Sequence, residues 1–191
     1  MAKPKSEDRR TALIEAAAKV FAEQGLAAPT ASISKAAGVS EGSFFTYFKT
    51  KDELVNELYR EIRHDLAAAI AQDFPRRGTV KERLEHLFTR WVRWGVEKPN
   101  YRRALKHLSM SSVLRPEVRE QTQHLYAEAD RIHADAVAQR KLANVPAPMV
   151  SQVLKAMSDM TMDLVAAHPE QADALTKSGF QLLWGAYESK P

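Results

Sequence analysis

Residues 37–54, AGVSEGSFFTYFKTKDEL, limit what the chain folds into more than any other stretch. Gly38 tolerates the left-handed backbone of a tight turn and marks the end of one short helix. Ser40 follows where a hydroxyl accepts from the free amides of a new helix's first turn. That second helix is predicted over about residues 41–48, and its composition is unusual for so short a piece. Phe44, Phe45 and Phe48 are expected to face inward, while Ser43, Thr46 and Tyr47 turn hydroxyls outward. Two helices joined by a short glycine-containing turn form a helix-turn-helix, whose second helix enters the DNA major groove. Gly42 lets the backbone approach a duplex closely, and Ser43 and Thr46 suit base edges, Thr46 adding a methyl for thymine. No arginine stands on this helix to grip guanine, and Lys35 or Lys49 would add nonspecific attraction.

The residues around that stretch form an ordered set: Ala16, Ala17, Phe21, Gly25, Ile33, Ala37, Gly38, Val39, Ser40, Gly42, Tyr47, Phe48, Lys51 and Leu54. With them, Leu13 to Leu54 resembles the DNA-binding domain of the tetracycline-repressor (TetR) family. The resemblance covers about a quarter of the chain and rests on glycines, caps, aromatics and a lysine recurring together. It implies that Tyr47 and Lys51 hold phosphates, Lys51 from the start of the next helix. It also implies a transcriptional regulator, most simply a repressor, that is a homodimer on a palindromic duplex operator, is released by a small-molecule effector, and is not an enzyme. Three positions depart from the family pattern: Pro29 replaces a threonine cap, Ser34 a small apolar residue and Phe45 a tyrosine.

Composition narrows the remaining classes. A chain of 191 residues with 45% hydrophobic and 27% charged residues buries a sizeable core. A formal charge of +4 fits a polyanionic partner. The absence of cysteine removes disulfides, thiol catalysis and cysteine-bound zinc, and no cofactor is implied. No apolar run reaches the roughly 18 residues that span a bilayer, and MAKPKSEDRR lacks a secretion-signal core, so a cytoplasmic protein without a membrane partner is expected.

Helical periodicity continues to the end of the chain, with no alternating β-branched segment, so the expected class is all-α with about nine helices. The expected division is a helix-turn-helix domain over residues 1–50 and a helical effector and dimerisation domain over 51–191. Lys51 to Asp73 reads as one long helix, and Pro116 opens another that carries Val118, Leu125 and Ile132 inward. Trp91, Trp94, Tyr101, Met110, Tyr126 and Met157 are candidates for an effector pocket, because apolar space between bundle helices is a common ligand site. The same residues at the same spacing equally suit a core. Val150, Val153, Met157, Thr161 and Leu164 stripe one late helix, and Leu175, Gly179, Leu182 and Leu183 stripe the last. By resemblance these two helices join a partner's pair as the dimer interface, with ordinary packing inside one chain as the alternative. Lys3, Lys5, Arg9 and Arg10 could reach DNA or form a solvated tail. The rival function is a helical metal-dependent enzyme or ligand-binding bundle, on Glu61-x-x-His64 and Asp130-x-x-His133. His64 lies between Arg63 and Asp65 and is expected to face solvent, so no metal site is assigned.

Overall fold

A computed structural model describes residues 6–139 and 147–188. Lys3 and Lys5, and the side chains of His133 and Val150, lie outside the described residues. Helix boundaries in the first third of the chain have local causes. The first helix, α1 (Ser6–Gln24), stops at Gly25, whose φ of +73° suits glycine. Pro29, in extended conformation, is the N-cap of α2 (Thr30–Ala36) and supplies no side-chain bond. The Gly38 amide donates to the Lys35 carbonyl (3.2 Å) and the Val39 amide to the Ser34 carbonyl (3.0 Å), with Gly38 at φ +68°. This is a Schellman ending, and it delivers the chain directly to Ser40 and α3 (Glu41–Tyr47).

The long helix α4 (Lys51–Ala71) begins behind Thr50, whose hydroxyl accepts from the Glu53 amide at 3.1 Å, while the Glu53 carboxylate accepts from the Lys49 amide at 2.8 Å. Thr79 and Glu82 repeat the device ahead of α5 (Val80–Glu97). There the Thr79 amide and hydroxyl hold the Glu82 carboxyl below the usual carboxylate range. Then come α6 (Pro99–Ser109), α7 (Pro116–Gln123), α8 (Ala127–Gln139), α9 (Ala147–Ala167) and α10 (Ala172–Glu188). The all-α class holds, with no strand among the described residues. A 3-10 turn at His124–Tyr126 divides the helix expected to run on from Pro116, and another at Pro169–Gln171 precedes the last helix. No described helix is long and apolar enough to cross a membrane.

The chain separates into two compact units. One runs through Asp65 and takes in residues 98–123; the other holds 66–97 and the chain from His124. Packing therefore divides the chain elsewhere than at residue 50. In the first unit α6 packs on α1 and buries Ala104 and Leu108. Buried Asn56 adds a second fastening, donating to the carbonyls of Asp52 (2.7 Å) and Val113 (3.1 Å) and accepting from the Arg115 amide (2.9 Å). Leu13, Phe21, Ile33, Phe44, Leu54 and Leu58 are among the residues fully buried there. Ser34 is tolerated in this core because its hydroxyl donates to the Thr30 carbonyl at 3.0 Å. The second unit packs α5, α8, α9 and α10 around Leu84, Phe88, Ile132, Met162, Phe180 and Leu183. Its helices approach closely at Gly95 and Gly179, where a Cβ would collide with the Met162 thioether and the Thr161 hydroxyl.

Candidate nucleic-acid interface

α3 presents a face whose polar groups are fixed before any partner arrives. The Ser43 amide donates to the Ser40 hydroxyl at 3.2 Å, and the Ser40 and Ser43 hydroxyls share a further bond at 2.9 Å. The expected cap is therefore present, and the Ser43 hydroxyl is part of it. The Thr46 hydroxyl donates back to the Gly42 carbonyl at 3.2 Å. At the front of the helix the Glu41 carboxylate accepts from the Thr30 hydroxyl at 3.2 Å, tying α3 to α2. Gly42 is exposed, and a Cβ there would meet nothing nearer than the Ser40 hydroxyl at 4.0 Å.

Two of the three expected inward phenylalanines are inward. Phe44 and Phe48 are buried, but Phe45 is 50% exposed and faces out beside Thr46. The reason is angular: at about 100° per residue, Phe44 and Phe45 in consecutive positions cannot share one face of a helix. The edge of one ring against the face of the other, with centroids 5.2 Å apart, holds Phe45 in place.

Lys51, the first residue of α4, has its ammonium 5.9 Å from the centre of the Phe21 ring, so its aliphatic stem and charge are set by α1. Tyr47 is half-buried at the end of α3. Arg9 lines a groove with Ala37, Val39, Ser40 and Ser43. Arg10 is committed elsewhere, paired with Glu57 and stacked 5.6 Å from the Phe48 ring centre. Ser40, Gly42, Ser43, Thr46, Tyr47 and Lys51 thus all stand on the helix-turn-helix or the helix start that follows it.

The six residues expected to form a pocket divide between the two units. Tyr101 and Met110 belong to the first unit; Trp91, Trp94, Tyr126 and Met157 belong to the second. Met110 caps the C-terminus of α6 and is 90% exposed, so it lines no enclosed space. Burial, with Glu61, Asp65 and Glu15 nearby, pushes the Tyr101 phenol up to about 12. Trp94 is buried. Tyr126 lines one of the second unit's cavities, a small one of about 140 Å³ that includes Ile70, Phe74 and Leu87. A larger cleft of about 390 Å³ lies between α5, α9 and α10, with Val92, Val96 and Val165 inside and Arg93 and Lys177 among its polar residues. Sequence reasoning missed it because its lining is short aliphatic and charged, whereas aromatic and sulfur side chains were the signal followed.

The expected dimer stripe also divides. Thr161, Gly179 and Leu183 are buried inside the second unit, and Met157 and Leu175 are half-buried against its core. Val153 and Leu164 on α9 remain exposed with Met149 and Met160, and Leu182 on α10 is 62% exposed. Glu61, His64 and Asp130 are all exposed, and among the described residues no three acidic or histidine side chains are grouped to hold a metal ion.

Residues 13–58 match the family model of bacterial regulatory proteins, tetR family. The chain is 40% identical over 81 residues to the HTH-type transcriptional repressor KstR2 of Mycobacterium tuberculosis, covering 42% of this chain and 40% of that one. The curated relatives it matches are thus covered over about two fifths of their length. Similarity of fold extends much further. A tetR-family transcription regulator from Shewanella sp. PV-4, described as putative, superposes with a TM-score of 0.76 at 25% identity, over 93% of this chain and 97% of that one. FadR from Bacillus subtilis, solved with stearoyl-CoA, superposes with a TM-score of 0.65 at 21% identity, over 91% and 96%.

Proposed function

Because the chain belongs to the tetR family of bacterial regulatory proteins, we propose that it is a cytoplasmic repressor that is a homodimer on a palindromic DNA operator and leaves it when an effector binds. One observation carries the reading. The family match at residues 13–58 falls on a helix-turn-helix whose second helix is capped by Ser40, exposes Gly42, Phe45 and Thr46, and is followed at once by Lys51. In this reading α3 enters the major groove, while Tyr47 and Lys51 hold phosphates on either side of it. The free amides at the start of α4 favour the same anion as the Lys51 ammonium.

Dimerisation is assigned to the exposed stripe Met149, Val153, Met160 and Leu164 on α9 with Leu182 on α10. The spacing of four, seven and four residues along α9 keeps these side chains on one face, an apolar surface that water covers at a cost. Two reading helices should then meet half-sites roughly 34–36 Å apart. The effector is placed in the second unit, with the cleft beside Arg93 and Lys177 as the space offered. Ligand binding there favours the state of α4, which contributes residues to both units, that does not fit DNA. Since the fold neighbour FadR was solved with stearoyl-CoA, a long-chain acyl-CoA is the first compound to add.

The test is selection of bound duplexes from a random pool by the purified protein. A palindromic consensus bound by a dimer is expected. A folded protein with no salt-sensitive affinity for any duplex would end this reading. Within it, Lys51→Ala should weaken binding to every sequence and lower the slope of log affinity against log salt by about 1. An unchanged slope removes Lys51 from the phosphates.

A further inference from the structure

We propose that the reading helix recognises its operator chiefly through the C5-methyl groups of thymine, touched by the Phe45 ring and the Thr46 methyl. The inference rests on the regulator reading above and specifies what that site recognises. The residues of α3, EGSFFTY, include no Arg, Lys, Asn or Gln, the side chains that grip guanine or adenine through two bonds. Apart from the Tyr47 hydroxyl, assigned above to a phosphate, the polar side chains at the start and middle of the helix are engaged within the protein. Ser40 and Ser43 bond each other, Thr46 donates to the Gly42 carbonyl, and Glu41 accepts from Thr30. With its hydroxyl turned back on the helix, Thr46 offers its methyl. Phe45 adds an exposed ring, held by Phe44, at the position next to it. Gly42, without a side chain on the same exposed surface, lets the helix sit deep enough for these groups to reach base edges.

An apolar pair on a groove-facing helix has one chemical match among the base-pair edges. Of the four bases only thymine carries a methyl in the major groove; cytosine has a bare C–H at the same position. An exposed phenylalanine facing water or phosphate gains nothing, but against a methyl it removes apolar surface from water.

The experiment replaces thymines of the selected site with uracil, one position at a time and then all together. This removes the methyl and leaves base pairing and phosphates intact. Affinity of the full-length dimer is read by fluorescence anisotropy across a salt series. Each contacted methyl removed should weaken binding about fourfold, the factor that follows from burying one methyl's worth of surface, with the salt slope unchanged. Phe45→Ala and Thr46→Ser should each lose the thymine–uracil difference at their own positions, and Thr46→Ser keeps the hydroxyl bonded to Gly42. Should Phe45→Ala fail to fold, Thr46→Ser carries the test alone.

Equal affinity for the thymine site and the all-uracil site would overturn the inference while leaving salt-dependent DNA binding, and so the regulator reading, in place. A selected consensus without thymine, or a uracil effect unaltered in both variants, would overturn it too. Failure to bind any duplex would remove the regulator reading itself, and this inference with it.

Discussion

α3 and the pair α9–α10 both leave large apolar side chains in water, yet in opposite ways. On α3 a single phenylalanine ring, Phe45, stands out from a helix whose serine and threonine hydroxyls are tied down. On α9 the exposed apolar residues Met149, Val153, Met160 and Leu164 form a run along the helix. A lone, preorganised ring suits a point contact whose position matters. A continuous stripe suits a broad surface, where area counts and the identity of each residue counts less. The two regions also differ beneath the surface. Phe44 and Phe48 back Phe45 directly, whereas the α9 stripe lies on helices held close by Gly95 and Gly179.

The sharpest way to break this comparison is at the two adjacent phenylalanines. Phe44→Ala should cost about 3–5 kcal/mol in thermal or denaturant unfolding, because a fully buried ring leaves a cavity. Phe45→Ala should stay within about 0.5 kcal/mol of wild type, as for an exposed position. Equal costs would show that Phe45 belongs to the core. The next effect lies on α10. Gly179→Ala should cost about 1–3 kcal/mol, since the new Cβ meets Thr161 and Phe88. Gly185→Ala meets nothing within 4 Å in one chain, so it should stabilise the monomer fold slightly. If sedimentation shows a dimer that Gly185→Ala weakens, a partner helix lies against that face. Ser40→Ala comes next, with a loss of about 1 kcal/mol for the cap of α3.

A pH dependence lies away from both surfaces and shows only in alkaline solution. The Tyr101 phenol is raised from an ordinary 10 to about 12, first by burial and then by Glu61, Asp65 and Glu15. Between those values the unfolded chain releases the proton and the folded chain keeps it. The stability Tyr101 contributes is therefore full below pH 10 and lost as pH rises toward about 12. Tyr101→Phe should lose less stability than wild type across that window in denaturant titrations. Identical losses would place Tyr101 in water.

What was legible in the sequence follows the same contrast. The helix-turn-helix could be read because its punctuation is local: Gly38 needs its positive φ, and Ser40 caps with its own hydroxyl. Phe45 departs from expectation because apolarity says nothing about which way a side chain turns on so short a helix. In the second unit, periodicity alone could not separate Leu183, which is buried, from its neighbour Leu182, which is exposed. Both fit a helical stripe, and only the positions of the other helices decide. Tyr101 and Met110 were grouped with Trp91 and Met157 on chemistry, although α6 belongs to the first unit. The 3-10 turn at His124–Tyr126 carries no glycine or proline to announce it.

Asn56 carries one further consequence. Its amide grips the chain between α6 and α7 at both ends, nitrogen to Val113 and oxygen to Arg115. A flipped amide would set nitrogen against nitrogen and oxygen against oxygen, so the fastening has no second setting. Residues 113–115 are in effect splinted to the helix that begins at Lys51, so a displacement of that loop is carried into the helix rather than absorbed between them.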